Sequence, residues 1–342
     1  GWLITKHQKL AVCRPNPPEG PAFSLETSYN IFMHRIRVGV IRGGPSSEYD
    51  VSLKTGASVI NNLSSDKYYP RDILIDRSGN WYIQGIKTTP HDALTNIDVA
   101  FNALHGHFGE DGKIQHIFEV HGIPFTGSKS FASAIGMNKA MSKGIYRKEK
   151  IKTPQSILLE SLADISNATH NILKSFPFPV VVKPVSSGSS VGVTIVKDLS
   201  GFNDALAKAF EHGNSVIVEE FIIGKEATCG VIDEYRDQRY YALPPIEIRP
   251  HNGFFDYKAK YEGQSDEIVP GNFSEKEKRE IEALAIQAHK ALGLRHYSRS
   301  DFIIHPKRGV FILETNTLPG LTKESLIPKA LESVGASLSH FL

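Results

Sequence analysis

Two short runs near the C-terminal end, Arg299–His305 and Val310–Glu314, are joined by so few residues that they can only form a hairpin. With the turn centred between Lys307 and Arg308, Asp301 lies opposite Glu314 and Arg299 opposite Asn316. Residues two apart on a strand share a face, so all four side chains project together. Two carboxylates directly opposite each other repel unless something cationic lies between them. A hard divalent cation with oxygen ligands resolves the conflict, and Asn316 offers a third oxygen. Arg299 would neutralise an anion beside it. The competing reading is a salt-bridged face open to solvent. The flanking Phe302, Ile303, Phe311 and Leu313 favour a packed sheet instead, although a bulge would break the register.

The rest of the chain supplies the frame for this hairpin. Ile36–Ile41 reads as a buried strand running into Gly43-Gly44, followed by a helix over Val51–Leu63. Further strands are expected at Asp72–Ile75 and Asp98–Leu104, and a helix at Lys113–Val120. This alternation is an open α/β layer ending near Gly127. A small α+β lobe follows. Phe178–Lys183 is a strand stopped by Pro184, Val193–Lys197 returns as a strand, Gly201–His212 is a helix and Ser215–Glu219 another strand. In the third unit Ser274 and Glu277 spell a capping box. Behind it Ile281, Leu284, Ala285, Ala288 and Leu292 recur at helical spacing, and Gly293 ends the helix. The chain stops at Leu342, soon after the start of a last helix, which is expected to be short.

Residues 1–32 carry Pro15, Pro17, Pro18, Gly20 and Pro21 without periodicity, and Met33 precedes the first convincing strand. They read as a disordered leader or as sequence upstream of the true start; an ordered arm is the alternative. Elsewhere composition narrows the class. Apolar residues make up 40% and charged residues 22%, and the net charge is +2. That balance gives no polybasic footprint for nucleic acid or an anionic membrane. No apolar run approaches the ~20 residues that span a bilayer. Two cysteines in unlike contexts suit a reducing compartment, and a cytoplasmic location is expected.

The loop Val185–Gly192 (VSSGSSVG) is rich in small residues whose backbone N–H groups can approach phosphate oxygens. It is not a P-loop, since Gly-Lys-Ser/Thr is missing. Alone it reads as readily as a mobile turn. Lys183 just before it and Lys139 in a helical stretch give it weight. The apolar strand ending in Glu219 and continuing through Glu220, Phe221 and Ile222 suits an adenine slot, with Glu226 in reach of a ribose. For either glutamate, Glu219 or Glu226, an exposed strand end is the alternative. In the first unit, Gly43–Glu48 and His105–Gly112 both follow strands, at the edge where open α/β sheets bind ligands. His105 and His107 could suggest zinc, but the glycine density there favours close backbone approach.

Six separated stretches, in order, resemble the D-alanine–D-alanine ligase family of ATP-grasp enzymes from about Arg37 onward. They are GGPSSEYDVS (Gly43–Ser52), HGHFGEDGKIQ (His105–Gln115), KPVSSGSSVGV (Lys183–Val193), DYKAKY (Asp256–Tyr261), RSDF (Arg299–Phe302) and ETNTLPGLTKESLIP (Glu314–Pro328). The resemblance implies an ATP-grasp fold behind an N-terminal open α/β domain. Its expected units are an N-terminal substrate domain at 33–128, a central lobe at 129–220 and a C-terminal lobe at 221–342. It further implies that Lys139 and Lys183 hold ATP phosphates with help from Ser189, Ser190 and Lys260. Glu219, Glu220, Phe221, Ile222 and Glu226 would hold the nucleoside. Asp301, Glu314 and Asn316 would bind two magnesium ions, for which manganese can substitute. Glu48 would hold the first D-alanine ammonium, with His105 nearby. Arg299, the Gly320 backbone and Ser325 would hold the second D-alanine and the oxyanion. Ser189 and Tyr261 would link two mobile loops back to Glu48.

The implied reaction is peptide-bond formation between two D-alanines through an acyl phosphate, for peptidoglycan precursor synthesis, by a homodimer. One departure is visible: Ser186-Ser187 stand where many relatives have Arg-Glu, which would loosen loop closure. A ligase for D-lactate or D-serine is a near alternative; Lys260-Tyr261 argue against the D-lactate form. A non-catalytic nucleotide-binding regulator should lack a metal ligand, and none is missing.

Overall fold

The protein is described here by a computed structural model covering residues 35–161, 169, 172, 174–188, 191–250 and 265–342. The leader, Ser189, Ser190 and the Asp256–Tyr261 loop lie outside the described residues.

The first unit runs β1 (Ile36–Gly43), α1 (Tyr49–Asn62), β2 (Tyr68–Ile75), β3 (Trp81–Ile83), β4 (Ile86–Thr88), α2 (Pro90–Thr95), β5 (Val99–Asn102) and α3 (Lys113–Val120). Its sheet has the order β4-β3-β2-β1-β5, with β1 parallel to both neighbours. Helices on both faces explain why β1 is nearly continuously apolar. Val38 and Val40 enter one core with Val59 of α1, while Ile41 enters another with Ile73 and Phe118. The β3–β4 hairpin was not expected from the sequence; its strands are three residues each, too short to show a period. At the carboxyl edge of β1 the chain turns through Gly43 and Gly44, at φ +91° and +94°. A Cβ on Gly43 would sit 2.2 Å from the Ile75 carbonyl oxygen, so the turn requires glycine there.

The second unit comprises α4 (Ser130–Met137), α5 (Lys139–Lys148), β6 (Ser156–Leu159), β7 (Val180–Pro184), β8 (Thr194–Val196), α6 (Phe202–Phe210) and β9 (Val216–Glu220), with sheet order β6-β9-β7-β8. Pro184 is the last residue of β7, paired with Val216 at the strand end, where a missing N–H is tolerated.

The third unit contains β10 (Lys225–Tyr235), β11 (Gln238–Ala242), β12 (Ile246–Pro250), β13 (Ser265–Ile268), α7 (Glu275–Ala291), β14 (Tyr297–His305), β15 (Gly309–Asn316), α8 (Leu326–Ser333) and α9 (Leu338–Phe341). Its sheet runs β13-β12-β10-β14-β15, with β11 also on β10. The α7 capping box is present in both directions. Ile281, Ala285, Ala288 and Leu292 are buried beneath that helix, with Leu284 half-buried beside them.

The first and third units share a core: Val38, Val40 and Val59 pack in one cluster with Ile232, Leu243, Tyr297 and Ile327. Each such fully buried aliphatic side chain contributes about 1.5–3 kcal/mol. Arg295 adds a polar tie, donating to the carbonyls of Gly127 at 2.7 Å and Phe125 at 3.2 Å. The loops that follow β1 and β5 thereby face the 299–316 hairpin across a cavity. Among the described residues no helix is long and apolar enough to cross a membrane.

Candidate active site

The hairpin brings Asp301 opposite Glu314 and Arg299 opposite Asn316, but not by the expected route. Its turn is tighter: His305 pairs with Gly309, which centres it on Lys307 rather than between Lys307 and Arg308. That register alone would set Asp301 against Leu313. A β-bulge between Asp301 and Phe302 on one side, with Leu313 as the extra residue on the other, shifts the pairing by one. The shift changes the faces. Val310 and Ile312 point into the core with Phe302 and Ile304. Beyond the bulge Thr315 is the buried one, bonded at 2.8 Å to the Tyr146 hydroxyl and at 2.8 Å to the Ser300 hydroxyl. Leu313 and Glu314, though consecutive, both line the cleft.

The four polar residues do not form a solvent face. Asp301 Oδ1 accepts from the Thr228 hydroxyl at 2.6 Å and Arg299 Nε at 3.0 Å, and its Oδ2 accepts from Arg299 Nη2 at 3.1 Å. Glu314 Oε2 lies 3.4 Å from Lys139 Nζ. Asn316 Oδ1 accepts from Leu318 N at 2.8 Å. Three oxygen-bearing side chains thus share one face, with cationic groups at its rim.

On one side of the hairpin is a cavity of about 200 Å³ between the second and third sheets. Its walls include Val181, Phe221, Ile222, Ile248 and Leu313, and Glu219, Glu220 and Glu226 also border it. Glu219 is not an exposed strand end: it is 2% accessible. Lys183 Nζ lies 2.8 Å from its Oε2 and Lys143 Nζ 3.1 Å from its Oε1. Burial works against ionisation, but Lys143 and Lys183 outweigh it and hold the carboxyl below its ordinary range. Oε1 is buried and faces Lys143, while Oε2 faces Lys183 at the cavity wall. Glu220 behaves differently. Its carboxylate receives Arg308 from the hairpin tip at 2.7 and 3.1 Å and Gln155 N at 2.9 Å. Its side chain is therefore committed to joining the two lobes, and only its backbone remains for a base edge.

On the other side a wider cavity, about 640 Å³, opens between the first unit and the C-terminal segment. Glu48, His105, Arg299, Asn316, Gly320 and Ser325 all line it. Glu48 stands at the start of α1, and its carboxylate lies against two glycines. A Cβ on Gly188 would be 2.9 Å from Glu48 Oε1, and one on Gly106, at φ +69°, 3.2 Å from it. The small-residue loop thus touches the first unit at Glu48. His105 is buried, 2.8 Å from the Thr55 hydroxyl and 3.5 Å from Glu110, whose Oε1 also accepts from Gly106 N at 2.9 Å. His107 is exposed and lies 3.3 Å from Asp111. Ser325 Oγ accepts from Thr322 N at 3.1 Å.

The two cavities share Lys139, Ser187, Glu314 and Leu326. Lys139 begins α5, capped by Asn138, and its ammonium donates to the Ser187 carbonyl at 2.6 Å. Burial pulls its pKa down, against the attraction of Glu314. A cation and a carboxylate therefore stand where the narrow and the wide cavity meet. Lys143, Glu110, Thr228 and Leu313 were not expected as site residues. The signals for two of them were in the spacing. Lys143 is one helical turn beyond Lys139, and Thr228 is two residues beyond Glu226 on one strand.

Two family models match the chain. One, described as "D-ala D-ala ligase N-terminus", covers residues 37–93 and 84–128; the other, "D-ala D-ala ligase C-terminus", covers 145–342. A D-alanine–D-alanine ligase of Pelotomaculum thermopropionicum is 38% identical over 305 residues, 88% of this chain and 92% of that protein. Among solved structures, a D-alanine–D-alanine ligase of Bacillus anthracis complexed with ATP has TM-score 0.75 and 34% identity, covering 90% of this chain and 94% of that one. The VanG D-Ala:D-Ser ligase of Enterococcus faecalis has TM-score 0.81 and 30% identity, covering 90% and 97%.

Proposed function

The chain belongs to the D-alanine–D-alanine ligase family, and from that premise we propose that its two cavities carry the two halves of one reaction. The enzyme joins two D-alanines to D-alanyl-D-alanine and converts ATP to ADP and phosphate. The observation that carries the assignment of sites is the junction at Lys139 and Glu314, which border both cavities.

ATP occupies the narrow cavity. Adenine lies between the apolar walls, its amino group directed to the Glu219 carboxylate and its edge to the backbone of Glu220–Ile222, and Glu226 takes the ribose. Lys183 and Lys139 face the phosphates, with Ser189, Ser190 and Lys260 completing the cover. Magnesium fits the donor set of Asp301, Glu314 and Asn316, since hard divalent ions take oxygen ligands and two carboxylates suffice when phosphate and water fill the remaining positions. When bound it offsets charge on the transferring phosphoryl group.

The wide cavity takes the amino acids. Glu48 holds the first D-alanine by its ammonium, beside His105, so that its carboxylate points to the junction. A carboxylate oxygen attacks the γ-phosphorus, the bond to the bridging oxygen breaks, and ADP leaves with that electron pair. The product is an acyl phosphate. Ser325 and the Gly320 backbone orient the second D-alanine, whose deprotonated amine attacks the acyl carbon. Arg299 and backbone donors stabilise the tetrahedral oxyanion, and phosphate departs as the amide forms. Water would destroy the acyl phosphate, so the Val185–Gly192 loop and Tyr261 are assigned to closing the cleft. The family resemblance also implies a homodimer, which sedimentation would test.

Phosphate release from ATP and magnesium, measured with D-alanine, D-serine and D-lactate in turn, tests the reading. Release with D-alanine alone, matched by dipeptide, is expected. Tight ATP binding with no release on adding D-alanine would refute it.

A further inference from the structure

Lys143 is fully buried, yet it lines neither cavity. Its ammonium donates to the Thr153 hydroxyl at 2.7 Å and lies 3.1 Å from Glu219 Oε1. Glu219 is thus divided between two lysines: Lys143 behind it and Lys183 at the cavity wall, 2.8 Å from the other oxygen. An isolated buried ammonium would be driven to lose its proton. Burial does pull the Lys143 pKa down, to about 8, and Glu219 opposes the pull.

Charge counting shows what the arrangement does. Glu219 with Lys183 alone is a neutral pair, and a carboxylate with no second partner would draw Lys183 fully onto itself. With Lys143 the three groups carry one net positive charge, displaced toward the cavity. We propose that Lys143 is a positioning residue for the nucleotide: by holding one oxygen of Glu219 it leaves Lys183 able to serve a phosphate, without touching ATP itself. The inference rests on ATP occupying the narrow cavity.

The test is isothermal titration of the full chain, with magnesium, against ATP and against adenosine. The readout is the ratio of the two dissociation constants. Wild-type protein should favour ATP strongly, and absence of that preference would overturn the nucleotide assignment itself. In Lys143→Met the ratio should fall on the order of tenfold, the scale of one unit charge across several ångströms of partly screened protein. The fall should come from ATP, with adenosine changed much less. The comparison is repeated as Lys143→Met/Glu219→Gln against Glu219→Gln, where methionine faces a neutral amide and folding is safer. There the fall should shrink, because no carboxylate remains to draw Lys183 away from a phosphate. The double variant, with Lys183 its one charge of the three, should regain preference for ATP over the Lys143→Met protein. Equal weakening of ATP and adenosine in Lys143→Met would mean a purely structural lysine; an unchanged ratio there, or an undiminished fall in the Glu219→Gln background, would also overturn the proposal.

Discussion

The narrow and wide cavities solve different problems with similar residues. In the narrow one the deepest charges are buried and paired within one lobe: Glu219 is 2% accessible and held by Lys143 and Lys183. In the wide one they come from distant parts of the chain. Glu48 belongs to the first unit, Gly188 to the loop of the second, and Arg299 and Ser325 to the third. The difference teaches which half is preorganised. Nucleotide binding needs only the second and third sheets in register. Amino-acid binding needs the first unit and the loop to stay in contact with them.

Glu314, which belongs to both cavities, is the most damaging place to intervene. Glu314→Gln should lower turnover by about 10²–10³-fold, the scale for losing one preorganised electrostatic group, with little change in melting temperature. Near-normal turnover would remove Glu314 from the chemistry. Deleting Leu313 should largely spare turnover, for a geometric reason. Without the extra residue the register set by the turn brings Glu314 opposite Asp301 directly, still on the cleft face. Leu313→Ala keeps the bulge and should only raise the KM for ATP, by about tenfold for a lost buried aliphatic contact. If the deletion variant loses turnover as Glu314→Gln does, the register does not set the face.

Glu48→Gln should separate the two cavities. KM for the first D-alanine should rise roughly 10–100-fold, as expected for a lost hydrogen bond to a charged group, while ATP affinity is unchanged. A matching loss of ATP affinity would mean that the cavities are not independent. Arg308→Ala, at the lobe tie to Glu220, is the converse. The Arg308 side chain is 45% exposed, so the effect should be small, about two- to five-fold in the KM for ATP and none for D-alanine. The last contrast is in pH. Glu219 has a folded pKa below its ordinary value of 4.5, so its stabilisation is present above pH 4.5 and is lost as pH falls through the lower folded value. Melting temperature should drop across that window in acid, and Glu219→Gln should flatten the drop. An identical slope would deny the pairing its role.

Much of this was legible before any coordinates. The buried first strand, the glycine turns and the α7 capping box follow from local chemistry. The pairing of Asp301 with Glu314 was also expected, but through two errors that cancel: the turn was placed half a residue too far along, and the bulge restored the difference. Val310–Leu313 is uniformly apolar, so nothing in its pattern marks where a residue is added. Lys143 escaped notice because a lysine on a helix is ordinarily solvated; only the packing of Glu219 against it makes it a partner. The side-chain tie of Glu220 to Arg308 was not legible because it joins positions 88 residues apart. The assigned closing residues Ser189 and Tyr261 lie outside the described residues.

The central claim is that the first D-alanine carboxylate attacks ATP where the cavities meet. D-Alanine labelled with ¹⁸O in its carboxylate tests this directly, by mass analysis of the phosphate released during dipeptide synthesis. One labelled oxygen per phosphate is the result predicted for an acyl phosphate. Unlabelled phosphate accompanying dipeptide would contradict it.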